Sequence, residues 1–137
     1  MTAPYSFRLP THVVFGNRSL DRVHELVPPL GERPFVVTGR GSARASGALN
    51  RVLTALGFAK LYEGVDENPT DAAVEDAARA CRDAKCDVIV AIGGGSAIDL
   101  AKAVAGLATN DGRAADFYGF AVYKRAPVPN VAVPTTA

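Results

Sequence analysis

The amino-acid sequence predicts an α/β fold, a Rossmann-like and mostly parallel sheet flanked by helices. Short apolar runs of strand length alternate along the chain with segments whose apolar residues recur at helical spacing. Proline and glycine separate these segments, and strands that alternate with helices are typical of the βαβ units that form parallel sheets. The chain has 137 residues, of which 48% are hydrophobic, enough for the buried core of one such domain. We therefore predict a single α/β domain over residues 1–137.

Five apolar runs predict strands. The run DVIVAI is the strongest, because an unbroken apolar series rich in β-branched residues is typical of a parallel strand buried on both faces. The first run is the weakest, because its apolar and polar residues alternate only briefly before a glycine. The predicted strands cover residues 12–15, 35–38, 58–62, 87–92 and 131–133.

Four segments have the spacing of helices. The clearest places leucine and valine at i, i+3, i+4 and i+7 and stops at Gly57, a residue type that commonly follows a helix. The last of them is apolar nearly all round, which predicts that it is buried. Three of the predicted helices cover residues 20–27, 49–56 and 96–108. The fourth is capped by Thr70 and has Val74, Ala77, Ala78 and Cys81 on one face. Residues 110–127 are predicted to be irregular.

Composition and charge argue against several kinds of partner. The net charge of +1 does not suggest nucleic acid, and the longest apolar stretches are far shorter than the roughly 20 residues that span a bilayer. The N-terminal residues lack the apolar run of a signal peptide, and the two cysteines, spaced C-x4-C, match no zinc motif. We therefore predict a cytoplasmic protein without a nucleic-acid or membrane partner.

Three loops that follow predicted strands are rich in glycine, threonine and serine, namely residues 38–41, 93–96 and 134–136. Parallel α/β sheets bind their ligands beyond the carboxyl ends of the strands. We therefore expect the ligand site at these loops.

The segment Gly93-Gly94-Gly95-Ser96 follows the strongest predicted strand and opens a predicted helix. The first amides of a helix lack acceptors within it and the helix dipole is positive there, so that an anion fits this end. Glycines let the main chain approach phosphate oxygens closely, although a tight turn without a ligand would also use them. Ser96 and Asp99 match a capping pair that would define the helix start. The loop predicts phosphate binding, but it matches neither G-x-G-x-x-G nor the P-loop.

The segment GGGSAIDLAK, residues 93–102, resembles the G-G-G-S-x-x-D-x-A-K signature of the iron-containing (group III) alcohol dehydrogenases. Three further segments resemble this family in order and spacing. LPTHVVFGNRSLDRV is similar to its N-terminal strand, glycine and helix, ENPT at 67–70 to its P-N-P-T turn, and VPNVAVPTTA at 128–137 to the start of its P-T-T-x-G-T-G-S-E stretch. The resemblance therefore spans nearly the whole chain.

This resemblance implies a dehydroquinate synthase-like N-terminal domain that binds NAD(P), followed in the family by a helical domain that binds iron or sometimes zinc. It implies reversible hydride transfer between the nicotinamide and an alcohol or aldehyde substrate, with the metal polarising the substrate oxygen. Members of the family usually associate through the N-terminal strand, which implies a homodimer.

The same resemblance implies which residues of this chain bind the cofactor. The implied residues are Gly94, Gly95 and Ser96 at the pyrophosphate, Asp99 near the nicotinamide end, Asn68 in a turn facing the nucleotide cleft, and Thr135 and Thr136 along the cofactor. Two of these assignments have simpler explanations. Asp99 could act only as a helix cap or as a partner of Lys102 at i+3, and the last threonines could belong to a frayed terminus.

The family's metal ligands, an aspartate and three histidines, lie beyond the last residue of this chain. His12 and His24 are its only histidines, and neither matches a ligand position. We therefore predict no metal ligand and no catalytic residue within residues 1–137, and we expect this chain alone to turn over no substrate.

The loop after the second predicted strand bears on cofactor preference. Many NAD-using members of the family have Thr-Asp there, and that carboxylate holds the adenosine ribose and repels a 2′-phosphate. This chain has Thr38-Gly39-Arg40, and Arg40 or Arg44 could pair with a phosphate. We therefore predict Gly39 and Arg40 as cofactor-binding residues and favour NADP(H), with two solvated loop arginines as the alternative.

Two other functions stay open from the sequence. The chain could be a stand-alone, non-catalytic nucleotide-binding module, or the N-terminal half of a glycerol dehydrogenase or a maleylacetate-reductase-like enzyme. Sequence beyond residue 137 distinguishes the module from the dehydrogenase, because a continuation into G-T-G-S-E and histidine-bearing helices indicates the latter.

Overall fold

A computed structural model describes residue 6, residues 9–119 and residues 122–135 of the chain. Within these residues, four strands form one sheet in the order β2-β1-β3-β4, and every neighbouring pair is parallel. This sheet, flanked by helices, confirms the predicted α/β fold class. The strands are β1 (Pro34–Gly39), β2 (Lys60–Val65), β3 (Val88–Gly93) and β4 (Asn130–Pro134).

Helices connect successive strands, as parallel pairing requires. Two of them lie between β1 and β2, one between β2 and β3, and one between β3 and β4. In the described part of the chain, none is long and apolar enough to cross a membrane. The helices are α1 (Val23–Leu26), α2 (Ser42–Ala45), α3 (Ala48–Leu56), α4 (Asp71–Asp83) and α5 (Gly95–Thr109), with short 3-10 helices at Ser19–Arg22 and Ala114–Phe117.

Alternate side chains of the two central strands fill two cores, one on each face of the sheet. Phe35 and Ile89 pack with residues of α4 and α5, whereas Val36 and Val90 pack with residues of α1 and α3. All four side chains are fully buried. The period-two alternation of a strand explains this division, and burial on both faces explains why β3 is apolar throughout.

Two helix predictions are confirmed in detail. Helix α3 ends before Gly57, whose φ of 72° lies in the left-handed region that glycine adopts readily. At the start of α4, the Thr70 side chain accepts a hydrogen bond from the Ala73 amide over 3.3 Å. The four residues predicted on the apolar face of α4 are all buried.

The strand predicted over residues 12–15 is wrong, because the structure has no regular secondary structure there. Val13 and Phe15 are 65% and 98% exposed, so nothing in the described chain covers them. A short alternating pattern forms a strand only where a neighbouring strand supplies hydrogen-bond partners. The strand predicted over 58–62 lies two residues later, because its pairing with β1 begins at Lys60.

Asn110 organises the irregular segment that follows α5. Its side chain is 5% exposed, and its Nδ2 donates to the carbonyl oxygens of Gly106 over 2.9 Å and Arg125 over 3.1 Å. Its Oδ1 accepts from the amides of Lys124 and Arg125, both at 2.9 Å. One amide side chain therefore joins the last turn of α5 to the chain that leads into β4.

Candidate functional site

The carboxyl ends of β1, β3 and β4 bring the three predicted loops to one edge of the sheet. In the strand register, Thr38 lies opposite Ile92, and Gly93 lies opposite Pro134. The amide of Thr135 donates to the carbonyl oxygen of Gly93 over 3.0 Å. Ligands of parallel α/β sheets bind at this kind of edge, which makes it the candidate site.

The glycine loop presents unpaired main-chain amides at this edge. Gly94 is the N-cap of α5, and the first helical hydrogen bond runs from the Ile98 amide to the Gly94 carbonyl oxygen over 3.2 Å. The amides of Gly95, Ser96 and Ala97 therefore have no acceptor inside the helix. A Cβ added at Gly95 would meet no atom within 4 Å, so the space beside these amides is open. The dipole of this 15-residue helix adds positive potential, and the arrangement suits an anion.

The predicted capping pair of Ser96 and Asp99 is wrong. Ser96 is the second residue of α5, and no side chain caps this helix end. The helix starts earlier than predicted because Gly94 adopts the extended conformation of an N-cap directly after β3. The Asp99 carboxylate lies 3.8 Å from the Lys102 ammonium, and both side chains are exposed. The amides that a serine cap would have occupied are consequently available to a ligand.

Gly93 differs from Gly95 because its own backbone conformation requires glycine. Its φ is 152°, and an added Cβ would lie 3.0 Å from the Cβ of Ala97. We expect Gly93→Ala to lower the free energy of unfolding by about 2 kcal/mol, from backbone strain and crowding together. Urea unfolding followed by circular dichroism measures this loss. Gly95→Ala is the control and should be at least as stable as the original chain. Equal losses of stability in the two variants would contradict the claim that the backbone of Gly93, unlike that of Gly95, requires glycine.

Two threonine hydroxyls at this edge, Thr38 Oγ1 and Thr135 Oγ1, are buried and have no hydrogen-bond partner within the described residues. Thr38 is only 1% exposed. A buried hydroxyl without a partner costs about 1–3 kcal/mol, which indicates a partner outside the described residues, as a bound ligand would be. The loop at residues 38–41 was predicted to bind the ligand, but Thr38 itself was not assigned to the cofactor, although a threonine near the end of an otherwise apolar strand is a recognisable signal.

The two arginines predicted near a phosphate are each held by a carboxylate. The Nε and Nη2 atoms of Arg40 lie 2.6 and 2.5 Å from Oδ1 of Asp66. The Nε and Nη2 atoms of Arg44 lie 3.1 and 2.6 Å from Oε1 of Glu63. Neither carboxylate was predicted, because they lie 26 and 19 residues from their arginines and meet them only where β1 and β2 are neighbours.

Two further predicted site residues, Asn68 and Asp99, lie within the described chain. Asn68 is exposed in the turn before α4, with a left-handed φ of 54° that asparagine tolerates. In the described part of the chain, neither Asn68 nor Asp99 hydrogen bonds to another predicted site residue. Thr136 lies outside the described residues. Cofactor contacts of these three residues stay predictions.

The described residues offer no set of ligands for a metal, which the resemblance places in a helical domain beyond this chain. Across residues 6, 9–119 and 122–135, no three histidine, cysteine, aspartate or glutamate side chains come close enough to hold an ion. Both cysteines are free thiols, and burial raises the pKa of Cys81 to about 12, so that its thiol stays protonated at neutral pH. We therefore assign no metal-dependent step to residues of this chain.

The fold and the site together define a Rossmann-like α/β domain with a glycine loop at the carboxyl edge of a parallel sheet. The chain belongs to the iron-containing alcohol dehydrogenase family, whose model matches residues 10–137. This match confirms the resemblance that the GGGSAIDLAK segment indicated.

Curated relatives and solved structures agree with this family. The Bacillus subtilis (strain 168) protein named "Probable NADH-dependent butanol dehydrogenase 1" is 34% identical over 82% of this chain and 30% of its own length. The 4-hydroxybutyrate dehydrogenase of Cupriavidus necator is 40% identical over 77% of this chain and 29% of its own length. An iron-containing alcohol dehydrogenase of Thermotoga maritima superposes with a TM-score of 0.89 and 34% identity, over 97% of this chain and 38% of that one. The chain thus spans about a third of these proteins.

Proposed function

We propose that this chain is the nucleotide-binding half of an iron-dependent alcohol dehydrogenase or aldehyde reductase, which transfers hydride between NAD(P) and an alcohol or carbonyl substrate. One observation carries the proposal. Helix α5 begins with three amides that lack helical acceptors, at a glycine with open space beside it. Family membership supplies the class of reaction.

The residues at the edge fit a dinucleotide. The amides of Gly95 and Ser96 would hold the pyrophosphate, and Gly94 allows its close approach. The unpartnered hydroxyls of Thr38 and Thr135 would hydrogen bond to neighbouring parts of the cofactor. When bound, the nicotinamide supplies or accepts the hydride. We place the iron in a helical domain outside this chain, and we expect the 137-residue chain alone to turn over no alcohol.

Within this proposal we favour NADP(H) over NAD(H). No carboxylate ends or directly follows β1, because Gly39 is its last residue and Arg40 is the next one. A 2′-phosphate near Arg40 would form charge-assisted hydrogen bonds worth about 1.5–3 kcal/mol, offset by loss of an exposed ion pair worth about 1 kcal/mol or less. The net gain is about 1 kcal/mol, and we expect NADP to bind about fivefold more tightly than NAD.

Isothermal titration calorimetry with NAD and NADP tests both parts of the proposal. The sample is the longest polypeptide that the gene encodes, so that any further domain is present. Saturable binding of neither nucleotide would refute the proposed function, and NAD binding as tight as NADP binding would refute the preference. Binding without alcohol-dependent reduction of the nucleotide, in an iron-loaded sample, would instead favour a non-catalytic module.

We further propose a cytoplasmic homodimer. The observation that supports the dimer is the segment at residues 9–15, which has no regular secondary structure, pairs with no strand in the described chain and exposes Val13 and Phe15. An apolar segment of this kind is suited to pairing with a second copy.

A further inference from the structure

The Arg40–Asp66 ion pair lies where the ends of β1 and β2 meet at the carboxyl edge. Gly39 is the register partner of Val65, so that Arg40 and Asp66 are the next residues on the two neighbouring strands. The Nε and Nη2 atoms of Arg40 both contact the same carboxylate oxygen of Asp66, Oδ1. In the described part of the chain, Oδ2 of Asp66 takes part in no hydrogen bond, so it can accept one from a ligand.

A ligand can displace Asp66 from Arg40. The Arg40 and Asp66 side chains are 71% and 67% exposed, and exposed ion pairs of this kind are weak and screened by salt. The guanidinium of Arg40 carries five N–H donors, and Asp66 contacts only its Nε and Nη2 atoms. Arg40 can therefore bind a phosphate either beside Asp66 or in place of it.

The position of the pair relative to the glycine loop suggests what it contacts. A Cβ built on Gly93 would lie 3.9 Å from the Gly39 amide nitrogen, so the glycine loop and the end of β1 are adjacent. The strand β3 has two neighbours, β1 and β4, and the strand order reverses between β1 and β3. Sheets of this kind bind dinucleotides across that point of reversal, so a dinucleotide whose pyrophosphate rests on the start of α5 would extend its adenosine over β1. The next strand outward is β2, which leads into Asp66.

We propose, on the basis of the dinucleotide function above, that Asp66 is a specificity-determining residue of the adenosine site. Its carboxylate, supplied by the end of β2, takes the place of one that is absent after β1 and accepts a ribose hydroxyl of NAD. It also competes with a 2′-phosphate for Arg40. Asp66 therefore limits the preference for NADP, and Arg40 creates that preference.

Two substitutions of opposite effect test this assignment. Asp66→Asn keeps the size of the side chain, removes its charge and frees Arg40, and we expect it to shift the ratio of NAD to NADP affinity about tenfold toward NADP. Arg40→Gln removes the phosphate partner and should shift the ratio about tenfold toward NAD. The shift with Asp66→Asn should shrink as salt rises, because the phosphate contact is exposed.

The control is Asp111→Asn, which breaks a similar exposed ion pair with Arg125 beyond the opposite, C-terminal end of α5. Calorimetric titrations of the longest encoded polypeptide with NAD and NADP give the ratio for each variant. Shifts of at least threefold in the two expected directions, with none in the control, support the assignment. A smaller shift in either variant, a shift in the wrong direction, or an equal shift in the control overturns it. If the unaltered protein binds neither nucleotide, the proposed function itself is wrong.

Discussion

Gly95→Val is expected to weaken NADP binding about a hundredfold while changing the free energy of unfolding by less than about 1 kcal/mol. Charge-assisted hydrogen bonds from main-chain amides to phosphate contribute about 1.5–3 kcal/mol each, and a branched side chain beside those amides would hold the pyrophosphate away from them. The fold should accept the change, because a Cβ at Gly95 meets no atom within 4 Å and the residue is already helical.

A graded series strengthens this test. Gly95→Ala adds a single methyl group and should weaken binding by about tenfold, with a small gain in stability because alanine favours the helix. The matched control is Ala72→Val, which introduces the same valine side chain at an exposed position in the first turn of α4. It should leave NADP affinity unchanged. Calorimetry and thermal unfolding measure the two quantities, and a Gly95→Val protein that binds NADP normally would show that the phosphates do not rest on this loop.

Asn110→Asp is expected to lower the free energy of unfolding by about 3–4 kcal/mol at neutral pH. The side chain is almost fully buried, and Nδ2 donates to the carbonyl oxygens of Gly106 and Arg125. A carboxylate oxygen in place of Nδ2 cannot donate, and its charge would face two carbonyl oxygens. The two hydrogen bonds that Oδ1 accepts from the amides of Lys124 and Arg125 offset only part of this cost.

The loss of stability in Asn110→Asp should depend on pH in a defined direction. Burial and the facing carbonyl oxygens favour the neutral acid, so the pKa of the introduced carboxyl is raised in the folded state. Protonation restores a donor, and the variant should therefore be closest to the original chain at pH 4 and lose stability as pH rises through the raised pKa. The control is Asn50→Asp at an exposed position of α3, which should cost under about 0.5 kcal/mol. Urea unfolding at pH 4 and pH 8 measures both variants. A loss independent of pH would contradict the proposed role of the Nδ2 donor.

Much of the fold was predictable because the relevant signals are local. The apolar run of β3, the spacing of α3 and the Thr70 cap of α4 each depend on residues within one or two turns of one another. The strand predicted at residues 12–15 failed because a strand also needs a partner, and no strand of the described chain lies beside it. The capping prediction at Ser96 failed because the pattern indicated a cap but not the residue at which the helix begins.

The sequence by itself determined the fold class, the position of the glycine loop between a buried strand and a helix, and the family, because apolar periodicity and a contiguous motif can be read along the chain. The tertiary structure decided which parts of that loop are free: Gly93 is confined by Ala97, whereas Gly95 faces open space. It also decided that Arg40 meets Asp66 and that Asn110 joins α5 to the segment before β4. These contacts join residues 15 to 26 positions apart, or depend on the space around one atom. Strand pairing and packing create them, and no local pattern records them.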